Sequence, residues 1–255
     1  MHRTVRQYQP LLAELAATGR EAVPAATTGR DAGLAGSTTD AFEASVMYLC
    51  TAARRQPGRR PGSVGSPWAP FPHGEPNGGG AAGTGVVADF DSAAAAVRFR
   101  DAVARCLRER AWVEPVVSGI RYNFEVYRVG VAPHRRAYAI DLLATAWRDS
   151  LATINDRQPL SRSSVRWRRR QELAVAAWRA MLLASPPVRT SRALRVRLPS
   201  VELATVAVRS ARLLGVDTQM RHGQGVCVVS VEEQAAAYRL LAQVTAREPA
   251  ATGAA

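Results

Sequence analysis

One order of elements occurs twice in this chain, and that recurrence limits it to a duplicated α+β architecture. The clearer copy spans Val165 to Ala246. Within it Gln171–Val188, QELAVAAWRAMLLASPPV, sets Leu173, Ala176, Ala177, Ala180, Leu183 and Ala184 at helical spacing. Pro186 and Pro187 stop that helix, because neither can donate the next backbone hydrogen bond. Arg195-Val196-Arg197-Leu198 then alternates as a strand, and Pro199-Ser200 ends it and caps a second helix. That helix is predicted from Val201 to Leu214, with Gly215 as its C-cap. Strands at Val216–Arg221 and Val226–Val231 come next, joined through His222-Gly223-Gln224-Gly225. Ser230-Val231-Glu232-Glu233 has the spacing of a capping box for a last helix that ends near Ala246.

The earlier copy has the same order. A helix is predicted at Asp40–Arg55, where Asp40 and Glu43 have cap spacing. Strand Val86–Phe90 leads through the cap Asp91-Ser92 into helix Ala93–Arg110. Strands Trp112–Val117 and Arg121–Val129 turn at Ser118-Gly119, and a helix over Arg135–Trp147 closes the set. The expected division is a flexible lead at 1–38, a first repeat at 39–134, a connecting helix and linker at 135–163, a second repeat at 164–246, and a tail at 247–255. Met1–Ala17 has the spacing of a short amphipathic helix, ahead of a Gly, Ala and Thr stretch without hydrophobic period.

With those elements in place, the chain resembles the WhiA family of bacterial sporulation and cell-division regulators. AWRAMLLASPPV followed by RALRVRLPSVELATVAVRSARLLGVDTQMRHGQGVCVVSVEEQAAAYRLLAQV is similar to that family's second repeat. AFEASVMYLCTAA, GVVADFDSAAAAVRFRDAVARCL and IRYNFEVYRV fall where it has the first. The resemblance rests on spacing and pattern over Asp40–Val129 and Arg135–Ala246. It implies a degenerate two-repeat LAGLIDADG homing-endonuclease fold, with helices packed on small, mostly antiparallel sheets that form a saddle on DNA. The family continues into a helix-turn-helix domain; here Arg247–Ala255 comes after the second repeat, so the expectation is the endonuclease-like half alone. Active enzymes of that fold carry an acid at the end of each interface helix to hold divalent metal. The matching positions fall near Ala52 and Ser185, neither a carboxylate, so the expectation is no catalytic residue, no metal, no cofactor and no cleavage.

Charge points the same way. The formal net charge is +13, and all 34 cationic residues are arginine, without a lysine. Wholesale Arg and Ala usage fits a G+C-rich, actinobacterial-type genome, yet the excess charge still calls for a polyanion, with DNA as the natural partner. Ser161–Arg170, SRSSVRWRRR, is the densest run, with Arg162, Arg166, Arg168, Arg169 and Arg170 around Trp167. Guanidinium forks grip phosphate and an indole can stack on a base. The alternative is a solvated helix start with Trp167 in the core. Strand alternation adds Arg195 and Arg197, Gln219 and Arg221, and Arg121 and Asn123 as candidate DNA contacts. In the last of these strands Arg121, Asn123, Glu125 and Tyr127 are read as one face, opposite Tyr122, Phe124 and Val126.

Other chemistry finds little support. The 28 residues of 56–83 include eight Gly and six Pro, an expected disordered insertion. Its GGGAAG matches G-x-G-x-x-G but precedes a strand, the wrong context for a dinucleotide site. Arg54, Arg55, Arg59 and Arg60 at its mouth are read either as phosphate contacts or as a solvated run, and Trp68 and Phe71 as a candidate partner-docking spot. Cys50, Cys106 and Cys227 are scattered, as buried reduced thiols are in a cytoplasmic protein. His2, His73, His134 and His222 lack metal-ligand spacing, and Asp89 with Asp91 flanks a strand end, where capping accounts for Asp91. No apolar run reaches the roughly 18 residues of a membrane helix. The first expectation is therefore a nucleoid-associated DNA-binding regulator. A module binding another transcription regulator or a second copy is the alternative, and a homing-type endonuclease the weakest.

Overall fold

Among the described residues, six α-helices and six strands follow one another in the same order in each half. The computed structural model describes residues 30–52, 85–118, 124–156, 161, 163–185, 193–223 and 225–246. The first half holds α1 (Arg30–Ala52), β1 (Val86–Phe90), α2 (Ala93–Leu107), β2 (Trp112–Ser118), β3 (Phe124–Gly130) and, after a 3₁₀ turn at Pro133–Arg135, α3 (Arg136–Asn155). The second holds α4 (Val165–Ala184), β4 (Leu194–Leu198), α5 (Val201–Leu213), β5 (Gln219–His222), β6 (Cys227–Val231) and α6 (Gln234–Thr245). Each half makes one antiparallel sheet, ordered β1-β3-β2 and β4-β6-β5, so the third strand is central in both. The predicted α+β fold with two tandem repeats is the one observed.

α1 and α4 pack on each other more extensively than any other pair of helices among the described residues. Small buried residues recur along both: Ala41, Ala44 and Ser45 in α1, and Ala176, Ala177, Ala180 and Ala184 in α4. Small side chains let helix axes approach closely. Larger anchors sit around this seam. Trp178 is fully buried, and its indole N–H donates to the Ala207 carbonyl of α5 at 3.1 Å. On α3, Trp147 stacks on Phe42 of α1 at 6.0 Å between ring centroids, while its indole donates to Glu202 of α5 at 3.2 Å. The helix expected to be a connector is thus part of the joint between the halves.

Caps explain several boundaries. Ser92, Ser164 and Ser200 precede α2, α4 and α5, and each hydroxyl accepts a backbone N–H of the first turn, from Ala95, Trp167 and Leu203. Gly215 has a φ of 72°, and its neighbour Val216 donates back to the Ala211 carbonyl, the left-handed stop expected there. At the corresponding end of α2, Arg108 takes the left-handed conformation, with a φ of 53°.

Some readings are corrected. α1 begins at Arg30, ten residues before Asp40, and Asp40 with Glu43 forms no cap. Both side chains instead pair with arginines of α2: Asp40 with Arg105 at 2.7 Å and Glu43 with Arg98 at 2.7 Å. Ser230 lies in β6 rather than capping α6, whose N-cap is Glu233 without a side-chain bond. On β3 the faces are reversed: Tyr127 packs against the core beside Val129, whereas Val126 and Arg128 lie on the other side. The ring's apolar area outweighs its hydroxyl, and a strand's two-residue period then assigns every neighbour. α2 ends at Leu107, β5 starts at Gln219 and α3 runs on to Asn155, against predicted limits of Arg110, Val216 and Trp147.

Candidate nucleic-acid interface

The second sheet separates charge from core. Leu194, Val196 and Leu198 of β4 and Val229 and Val231 of β6 are buried against α5 and α6. The residues between them emerge on the opposite side, since successive side chains alternate. There the register sets Arg197 across from Val228 and Val228 across from Arg221. In the next row Arg195 faces Ser230, and Ser230 faces Gln219. Four candidates taken from separate strands, Arg195, Arg197, Gln219 and Arg221, therefore share one face in two adjacent rows. Rows are about 7 Å apart and strands about 5 Å, a scale that suits successive phosphates of a nucleic-acid backbone. Arg197 and Arg221 are exposed, and neither makes an ion pair with another described residue. Arg195 is half-buried and lies 3.6 Å from Glu232, whose carboxylate also accepts the Ser230 hydroxyl at 2.8 Å.

The arginine run at the start of α4 divides in two. Arg166 and Arg168 are exposed. Arg169 is half-buried and donates to Thr39 of α1 and, at 3.3 Å, to Glu172. Arg170 turns back to donate to the Ile154 carbonyl at 3.4 Å, near the C-terminus of α3, where a cation suits the helix dipole. Arg209 of α5 reaches the same helix end through Asn155. Two of the four described arginines of the run are thus engaged in the joint between the repeats, and Trp167 is half-buried. A groove of about 600 Å³ lies between the end of α3 and the start of α4, with Asn155, Asp156, Val165, Arg166, Arg169 and Arg170 among its lining. The remaining candidates, Arg121, Asn123 and Arg162, lie outside the described residues, as do the insertion at 56–83, the 1–29 lead, Arg54, Arg55, Pro186, Pro187, Gln224 and the tail.

The outward side of the first sheet differs. Its register aligns Asp89, Arg128 and Glu114 in one row, with Asp89 and Arg128 paired at 3.7 Å. Val116 faces Val126, and the Trp112 ring covers Gly130, where an added Cβ would lie 2.2 Å from the indole. This surface is near-neutral and partly apolar.

The most buried charge among the described residues is a carboxylate whose sequence spacing suggests a helix cap. Glu43, 1% exposed in the middle of α1, receives Arg98 of α2 at 2.7 and 2.9 Å and Arg179 of α4 at 3.3 Å. Arg179 also donates to the Val244 carbonyl at the end of α6. Burial alone would raise the carboxyl pKa, but the two guanidiniums outweigh it and hold Glu43 below the ordinary range. The available signal was an acid on an otherwise apolar helix face, with an arginine in the middle of the partner helix.

Near the ends of α1 and α4, two hydroxyl side chains are buried. Thr51 is buried and donates to the Tyr48 carbonyl at 2.9 Å, and Ser185 is the buried C-cap of α4. No group of three or more His, Cys, Asp or Glu able to hold a metal occurs among the described residues. Cys50 and Cys227 are buried and Cys106 is half-buried; burial pushes the Cys227 thiol up, and its sulfur lies 3.6 Å from His222 Nδ1. His134 is exposed. Among the described residues no helix is long and apolar enough to cross a membrane.

No protein-family model matches the chain, and neither does any curated protein. Among solved structures it is similar to the N-terminal LAGLIDADG domain of DUF199/WhiA, at 11% identity over 97% of this chain and 95% of that one, with a TM-score of 0.49. It is also similar to full-length DUF199/WhiA from Thermatoga maritima, at 11% identity over 92% of this chain and 60% of that one, with a TM-score of 0.49. These neighbours bear the family name that the sequence resembles.

Proposed function

We propose that this chain is a non-cleaving, DNA-binding relative of the WhiA-type regulators, gripping the phosphate backbone with the outward face of its second sheet. The observation that carries the reading is the shared face of Arg195, Arg197, Gln219 and Arg221. Arg166 and Arg168 at the start of α4 extend the positive surface. Guanidiniums at backbone spacing bind phosphate without reading bases, and the released counterions make affinity fall steeply with salt. Alanine and serine near the paired helix ends supply no carboxylate to hold a divalent metal, so strand cleavage is not part of the function. The chain acts in the cytoplasm, at the nucleoid.

The test is fluorescence anisotropy of labelled random and G+C-rich duplexes against the protein at low and physiological salt. A drop of about tenfold or more in affinity between the two supports phosphate neutralisation by several arginines. No binding at low salt sinks the DNA reading. One observation favours a second reading, a module for a regulator partner: Trp112, Val116 and Val126 leave a partly apolar strip outward on the first sheet.

A further inference from the structure

We propose that Glu232 is an internal competitor for phosphate at Arg195, so that it tunes how tightly the second sheet binds a polyanion. The proposal rests on the phosphate-binding reading above and adds to it a residue that weakens binding.

Arg195 is the one arginine of the outward face, among the described residues, that already has an anion beside it. Its guanidinium lies 3.6 Å from Glu232 Oε1, and the Ser230 hydroxyl donates to that same oxygen at 2.8 Å. Ser230, 3% exposed, lies between Arg195 and Gln219 on the central strand, so its hydroxyl is fixed by the sheet and steadies the carboxylate. Glu232 thus stands at Arg195 where an incoming phosphate oxygen would be held. A phosphate arriving there must displace the carboxylate or share the guanidinium with it, and two anions at that distance repel. The pair is exposed enough, at 29% and 40% for the two side chains, to be weak and readily exchanged. Arg197 and Arg221, one row away, carry no such competitor among the described residues. The face is therefore graded, with an open end at Arg197 and Arg221 and a guarded end at Arg195.

The experiment compares the full chain with Glu232→Gln, Arg195→Ala, the double variant, and Glu233→Gln, using anisotropy of a labelled random-sequence duplex at low salt. Glu233→Gln makes the same change in net charge at the neighbouring exposed position, so it measures the non-specific gain. The expected result is that Glu232→Gln binds about five-fold tighter than wild type, that Glu233→Gln gains clearly less, and that the Glu232→Gln gain disappears once Arg195 is Ala. Equal gains from the two glutamine variants, or a gain that survives Arg195→Ala, would overturn the proposal. So would binding unchanged or weakened in Glu232→Gln. If wild type does not bind duplex at low salt, the phosphate reading fails first and this proposal falls with it.

Discussion

The two sheets share a strand order but not a surface. In both, the third strand of the repeat is central and the inward face is apolar. Outward, the second sheet carries Arg195, Arg197 and Arg221, whereas the first carries Asp89 and Glu114 against a single Arg128, beside Trp112, Val116 and Val126. The duplication is held by what faces the core, where volume and shape are constrained. Outward positions are under no such constraint, and the two copies have diverged there. The positive surface is consequently one-sided within a nearly symmetric frame.

The widest break in this symmetry should come from its centre. Glu43→Ala leaves two partly buried guanidiniums without their carboxylate, and the expected loss is about 3 to 5 kcal/mol. Chemical denaturation would measure it. Because Glu43 is held below the ordinary carboxyl range when folded, its contribution is present at neutral pH and disappears as pH falls through that range and below. The variant should therefore lose less stability than wild type between pH 6 and strong acid, about 6 marking the neutral side of carboxyl titration. An equal acid dependence in both would refute the assignment.

Next in size is the contrast between the faces. Reversing Arg195, Arg197 and Arg221 to Glu should weaken duplex binding about a hundredfold and flatten the salt dependence by roughly 0.9 per lost phosphate contact. Arg128→Glu on the first sheet should change affinity little. If both variants weaken binding alike, the one-sided surface is wrong. A smaller effect comes from Gly130→Ala, which forces the Trp112 ring off the strand and should cost about 1 to 2 kcal/mol; the exposed indole's fluorescence would shift with it. Smallest is a repair. Arg108 and Gly215 occupy equivalent helix ends in left-handed geometry, and only glycine does so without strain. Arg108→Gly should stabilise the protein by about 1 kcal/mol, seen as a higher Tm.

Local signals carried much of this structure. Strand Val86–Phe90, the Ser92 and Ser200 caps, the Gly215 stop and the basic alternation of β4 depend on neighbouring residues and are found where expected. What misled was local pattern imitating a different device. Asp40 and Glu43 have cap spacing, but their partners lie 65, 55 and 136 residues away, beyond any window of periodicity. Arg169 and Arg170 pass for free phosphate ligands in the sequence because their competitors, Thr39 and the Ile154 carbonyl, belong to other helices. On β3, polar and aromatic letters alternate, and only packing shows that Tyr127 counts as apolar there.

Trp147 has a consequence for how this chain can be divided. Its ring rests on Phe42 of the first half while its N–H engages Glu202 of the second, and α1, with its buried alanines, packs on α4, with its own. A gene cut between α3 and α4 would yield two fragments, each with an exposed strip of alanine and one with a bare indole. Co-expressed, the pieces should recover only by finding each other, as a split reporter does, and expressed singly they should be substrates for proteolysis.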